Sequence, residues 1–175
     1  MSEPAMTDFR MFAGYNDWAN KRLYEAAARL PDTSYRAARG VYFGSLHGTL
    51  NHILVADRIW MRRFTREGPL PVRLDEILYD ELPALTAARH EEDERIIAYT
   101  AGLNEAELDS AITYETVTNP APQTQKLRNA LAHFFNHQTH HRGQAHAVLT
   151  MTGGNQAAPP LDLLIFQRQA EIGLP

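Results

Sequence analysis

Leu131-Ala132-His133-Phe134-Phe135-Asn136-His137-Gln138-Thr139-His140-His141-Arg142-Gly143-Gln144-Ala145-His146-Ala147-Val148-Leu149 holds five of the chain's eight histidines and no proline. At about 100° per residue, a helix places His137 and His141 one turn apart on one face. His133 and Gln144 extend that face by a turn in each direction. The helix that contains this stretch is expected from about Thr124 to Thr152, closed by Gly153-Gly154.

Working outward, three more long helices precede it. Phe9, Phe12, Asn16, Ala19, Leu23, Ala26 and Leu30 alternate at steps of three and four, and Pro31-Asp32 ends the run. Asn16 is the one polar residue in core phase: either a hydrogen-bonded core asparagine or one beside a polar cavity. Thr33 to Gly44 is a connection with room for a short turn of helix. Ser45 is placed to cap a second helix running to about Thr65. Its apolar residues cover a broad arc, with Arg58 and Arg62 on the narrow wet side, so more than one neighbour is expected, a second subunit among the candidates. Glu67 to Pro71 reads as turn and loop. A third helix is expected from about Asp80 to Thr100, with Pro83 in its first turn and Gly102 at its end. Arg89 to Arg95 is nearly all charged and reads as a solvated face, which counts against His90 as a ligand.

Ala111 to Val117 alternates with strand period and Asn119-Pro120-Ala121-Pro122 turns the chain, so a small hairpin or extended arm is expected. After Pro159-Pro160, Leu161 to Ile172 reads as a short C-terminal helix. These elements predict an all-α protein, a four-helix bundle with an arm before the last long helix, forming a single domain over residues 1–175.

Composition narrows the chemistry. The 175 residues suit one domain with a real core. No apolar run approaches a membrane span, Met1-Ser2-Glu3-Pro4 lacks the basic and apolar parts of a secretory leader, and a cytoplasmic location is the expectation. A net charge of −4 argues against tracking a nucleic-acid backbone. With no cysteine there is no disulfide, no thiolate zinc site and no thiol nucleophile, which leaves histidine as the principal borderline ligand.

His137 and His141 at i, i+4 have the spacing that puts two ligands of a zinc-type ion on one helix. A histidine-rich solvated face is the competing reading. His133 and His140 share the broad face as alternative ligands or as donors that hold the ligating rings, while His146 lies opposite and is expected to be exposed. On the second helix His52 lines up with Ala56 and Ile59, as a core or interface histidine or as a further ligand; His47 points about 140° away from it. There is no His-Glu-x-x-His, no Glu-x-x-His pair, no glycine-rich phosphate loop and no Gly-x-Ser-x-Gly. A mononuclear site built mainly from histidines survives these exclusions.

Phe135 to Gln144 resembles the hallmark segment of the DinB (damage-inducible) family of the DinB/YfiT-like metalloenzyme superfamily, which is unrelated to the DNA polymerase sharing that label. Leu50-Asn51-His52-Ile53-Leu54-Val55-Ala56-Asp57-Arg58-Ile59-Trp60 resembles its second-helix motif, and Tyr15-Asn16-Asp17-Trp18-Ala19-Asn20 is similar to its first-helix motif. The resemblance spans nearly the whole chain. It implies an up-down-down-up four-helix bundle, a homodimer, and a divalent ion, zinc or nickel, held by His52, His137 and His141. It also implies a small-molecule substrate and, from relatives that are thiol-dependent transferases and isomerases, a low-molecular-weight thiol co-substrate such as bacillithiol or mycothiol. Thiol S-transferase-like chemistry is the leading expectation. A hydrolase and a non-catalytic metal-binding stress-response protein stand behind it. Gln144 is expected to orient a ligand or substrate, and Arg142 to make a structural ion pair; His133, His140 and Asn16 are the candidates for a general base.

Overall fold

The structure is a computed structural model describing residues 4–173. Met1 to Glu3, part of the segment read for a secretory leader, lie outside those residues. The chain is mostly helical, in the order α1 (Pro4–Ala28), α2 (Asp32–Tyr35), α3 (Leu46–Thr65), α4 (Leu82–Gly102), α5 (Glu105–Asp109), β1 (Ala111–Tyr114), β2 (Gln123–Lys126), α6 (Leu127–Gly153) and α7 (Leu163–Gln169). No helix among the described residues is long and apolar enough to cross a membrane.

The helix boundaries follow from capping chemistry. Ser45 accepts from the Gly48 amide and starts α3. Glu81 takes the N-cap of α4 and Pro83 sits in the first turn, where its missing N–H costs nothing. Asn104 and Glu107 form a reciprocal capping box on α5. The last long helix begins later than the expected Thr124. Gln123 to Lys126 instead pairs antiparallel with β1, in the register Ala111↔Lys126 to Tyr114↔Gln123. A helix start would leave the first N–H groups unpaired, whereas the hairpin gives this segment a ladder and a Thr113–Thr124 hydroxyl contact of 2.9 Å.

Among the four helices of twenty residues or more, α1 packs on α4 and α6, and α3 packs on α6 and α4. One apolar cluster joins Leu23, Leu46, Leu50, Leu54, Leu85 and Leu149; the other joins Trp60, Met61, Ile96, Leu131 and Phe134. The broad apolar arc of α3 is therefore covered within one chain. Even Arg58, expected on the wet side, is largely enclosed: it donates to the Tyr79 hydroxyl and lies 3.7 Å from Glu92.

Between the clusters lies a polar layer that corrects the reading of Arg89–Arg95 as a solvated face. Arg89, Glu92 and Asp93 are buried. Arg89 donates to Asp57 at 2.6 Å and lies 2.9 Å from Asp93. Asn16 and Asn20 donate to Asp93 at 2.9 and 3.0 Å, and Gln138 donates to Asp57 at 2.9 Å. Arg142 closes the layer by donating to Asn16. Its other partners are the Thr139 hydroxyl and the face of Tyr15, so the expected ion pair of Arg142 is replaced by neutral acceptors and a cation–π contact. All four long helices contribute to this layer. Burial raises the carboxyls of Asp57 and Asp93 above their ordinary range, while the two carboxylates hold the Arg89 guanidinium firmly protonated.

Replacing Arg89 by Met would leave two buried carboxylates without their cation. Urea unfolding should show a loss of about 3–5 kcal/mol, the usual cost of breaking a buried pair from one side, with part of it recovered in the Arg89→Met/Asp93→Asn double variant.

Candidate metal centre

His52 leaves the middle of α3 and His137 and His141 leave the middle of α6. The structure brings the three together: ligand nitrogens from each ring all lie within 4.8 Å of one another. Ring centroids are 4.4 Å apart for His52–His141 and His137–His141, and 5.3 Å for His52–His137. His52 and His141 are buried and His137 is half-buried.

Two of the rings have their outer nitrogen engaged. His52 Nδ1 lies 2.7 Å from the Leu74 carbonyl, which only accepts, so the proton sits on Nδ1 and Nε2 keeps its lone pair. That Nε2 is buried without a hydrogen-bond partner. His141 Nδ1 lies 3.0 Å from Gln144 Oε1, and Gln144 Nε2 is 3.1 Å from His140 Nε2. A carbonyl or amide oxygen behind the ring is the arrangement that fixes tautomer and orientation in metal-binding histidines. The buried lone pair on His52 and a set of three neutral imidazoles fit a divalent borderline ion.

Burial keeps the rings neutral. His52 is pushed down to about 4, chiefly by desolvation, against the pull of the Leu74 carbonyl. His137 is pushed down to about 3 by desolvation and then by His141 and its other histidine neighbours. His141 is lowered by the same burial.

Two contributors have no periodic signature in the sequence. Phe43 stacks on His52 with centroids 3.6 Å apart and planes at 15°, and meets His141 edge-on at 5.5 Å. Leu74 supplies the carbonyl behind His52 from a loop. The one signal that points to Phe43 is Gly48: a Cβ there would come within 2.1 Å of the Phe43 carbonyl oxygen, so only glycine lets this segment lie against the first turn of α3.

The remaining histidines separate. His133 is exposed at the rim, 5.8 Å from His137 and 5.1 Å from Trp60 by ring centroid, and is lowered by partial burial and by Arg63. His140 is exposed beside His141. His47 is bonded to the Tyr79 carbonyl at 3.2 Å, and half-buried His90 lines a small hollow with Lys21 and Tyr24. His146, expected to be exposed, is half-buried and bonded to the Pro159 carbonyl at 3.0 Å. Asn16 is fully buried in the polar layer, its amide engaged by Asp93 and Arg142.

The DinB family model matches residues 1–173. The chain belongs to the DinB family. It is similar to "Protein DinB" of Bacillus subtilis (strain 168), 26% identical over 175 residues, an alignment covering 95% of this chain and 99% of that relative. Membership and the three-histidine group together fit a metal-binding protein. The three histidines lie on two of the DinB-like segments, one on α3 and two on α6.

The ring environments carry a sign for acid stability. Between about pH 6.5 and 4 the unfolded chain protonates His52 and His137 while the folded, metal-free chain does not, so stability falls as pH is lowered through that window. Urea unfolding in excess chelator should lose on the order of 1–2 kcal/mol per buried ring between pH 7 and 5. His137→Gln should flatten that slope.

Proposed function

We propose that His52, His137 and His141 hold one divalent ion, zinc or nickel, and that the chain is a metal-dependent enzyme acting on a small electrophile with a low-molecular-weight thiol as co-substrate. The observation that carries this reading is the buried, unpartnered Nε2 of His52, set among the nitrogens of His137 and His141. A bound ion with three neutral ligands keeps its full charge and supplies Lewis acidity, which acidifies a thiol for transfer or a water for hydrolysis.

The chain's own residues do the rest. The Leu74 carbonyl and the Phe43 ring hold His52, and Gln144 holds His141. His133 stands at the rim; its lowered basicity leaves it neutral at physiological pH, and it is the residue we assign to accept the thiol's proton. Among the described residues the group whose ligand atoms lie within 4.8 Å of one another has three members, with His133 and His140 outside it. That favours a catalytic site over a closed structural one, which takes four protein ligands. The mutual packing of α1, α3, α4 and α6 supports the up-down-down-up four-helix bundle, as one domain over 1–175. Homodimeric assembly, a stress-response role and a cytoplasmic location are carried over from the family resemblance and the sequence.

Metal analysis of untagged protein, purified without a nickel column, is expected to give one equivalent of ion per chain. His137→Ala and His141→Ala should lose it while keeping the far-UV circular dichroism of the parent. Full occupancy in both variants would refute the ligand assignment.

For the chemistry, the metal-loaded protein is to be screened with several thiols and electrophiles, following thiol consumption. Metal-dependent turnover that His133→Gln slows at least about tenfold is the expected result. Complete inactivity, with a fourth protein ligand on the ion, would leave a non-catalytic metal-binding protein.

A further inference from the structure

Further along α3 from the histidines lies a cleft lined by three arginines, none of them paired with a carboxylate among the described residues. His52, Ala56, Ile59 and Arg63 follow one another at steps of four, three and four, so they share one face of α3, and Arg66 is the C-cap that ends the helix. By helical rise, Ile59 lies about 10 Å and Arg63 about 16 Å along the axis from His52. Where this face leaves the histidines, Ile59 forms part of a cleft of about 580 Å³, bounded by the loop at Leu70 to Val72 and the arm from Thr113 to Val117. Arg62, Arg63 and Arg66 all line it, against the single carboxylate of Glu115.

The arginines have donors to spare. Arg63 gives one N–H to the Glu115 carbonyl at 2.7 Å, and its guanidinium lies 4.5 and 4.8 Å from the ring centres of Trp60 and Tyr114. Arg66 gives one to the Thr113 carbonyl at 3.1 Å. Among the described residues none of the three has a carboxylate within 4.0 Å, which is uncommon for a half-buried guanidinium such as Arg63. Leu70 and Val72, at 59% and 73% exposed, give the walls an apolar surface. The volume is that of a site for one small molecule, and the lining is apolar with a few convergent charges. Trp60, next to Ile59 in the chain, has its ring centre 5.1 Å from that of His133, which is 5.8 Å from that of His137, so aromatic rings connect this end of α3 to the histidines.

We infer that this cleft binds the acidic group of a small molecule (a carboxylate, phosphate or sulfonate on an apolar body) whose other end reaches the three histidines. The inference rests on the metal reading above for what happens at that other end, but the anion subsite itself stands on the arginines. Arg62 is the discriminating residue, because among the described residues its guanidinium makes no hydrogen bond or ion pair within the protein, so its loss leaves the fold's contacts in place.

The test is calorimetric titration at low salt with 4-phenylbutyrate and with its neutral isostere 4-phenylbutyramide. The carboxylate is expected to bind about tenfold tighter or more, the step of one charge-assisted hydrogen bond. Arg62→Gln should weaken the carboxylate several-fold and leave the amide unchanged at an unaltered thermal midpoint; Arg62→Gln/Arg63→Gln should abolish the preference while keeping the far-UV circular dichroism of the parent. Equal affinity for the two probes, no binding of either at millimolar concentration, or the same loss for both would overturn the assignment. Cobalt(II)-loaded protein then tests the connection: the phenyl protons should show paramagnetic relaxation, and bound cobalt without it would overturn the link to the centre. If cobalt does not bind, the metal reading fails while the calorimetry still decides the cleft.

Discussion

Arg89, held between Asp57 and Asp93 in the interior, is the interaction on which the arrangement of the helices depends. An apolar interface tolerates small slides of one helix along another, because hydrophobic contact is non-directional. A buried guanidinium does not: each displaced hydrogen bond leaves a charge unsolvated, which costs several kcal/mol. The layer therefore fixes height as well as contact. Asp57 stands five residues beyond His52, and its other oxygen takes a hydrogen bond from Gln138, the neighbour of His137. The bond that ties α3 to α6 in the polar layer thus sets the level at which His52 meets His137 and His141.

Around the histidines the design is the reverse, a charge-free shell. Desolvation by the surrounding helices, the Phe43 ring and the Leu74 loop disfavours the imidazolium forms, so each ring keeps one nitrogen lone pair, and on His52 the bond to Leu74 leaves it on the inner Nε2. The acceptors sit behind the rings, at Leu74 and Gln144, where they orient two of the histidines without competing for the inner nitrogens. Two neighbouring layers of one molecule thus handle polarity in opposite ways. One is made rigid by paired charge, the other is made receptive by leaving a buried nitrogen without a partner.

Legibility in the sequence followed locality. The long helices and their ends at Ser45, Pro83 and Gly154 were readable because caps and periodicity act over a few residues. The charged run from Arg89 to Arg95 was misread because charge on a helix usually means water, and its compensation comes from Asp57 and Asn20, on other helices. Thr124 to Lys126 was misread as helix because its strand partner, in Ala111 to Tyr114, lies a loop away. Leu74 left no mark in the sequence as part of the site and Phe43 only the indirect one of Gly48, since neither irregular segment has a period to read.

By itself the sequence determined that His137 and His141 share a face, because one turn of helix dictates where the fourth residue points. It also determined, through the absence of cysteine, that nitrogen would dominate any site for a borderline ion, and through resemblance it named His52. Only the tertiary structure decided that His52 lies within 4.8 Å of the other two, that its inner nitrogen is buried and bare, and that Arg89 and Asp93 are interior. Spacing along one helix is set by the backbone's own geometry. Distance between helices is set by packing and by hydrogen bonds among residues far apart in the chain, such as Asp57 and Gln138.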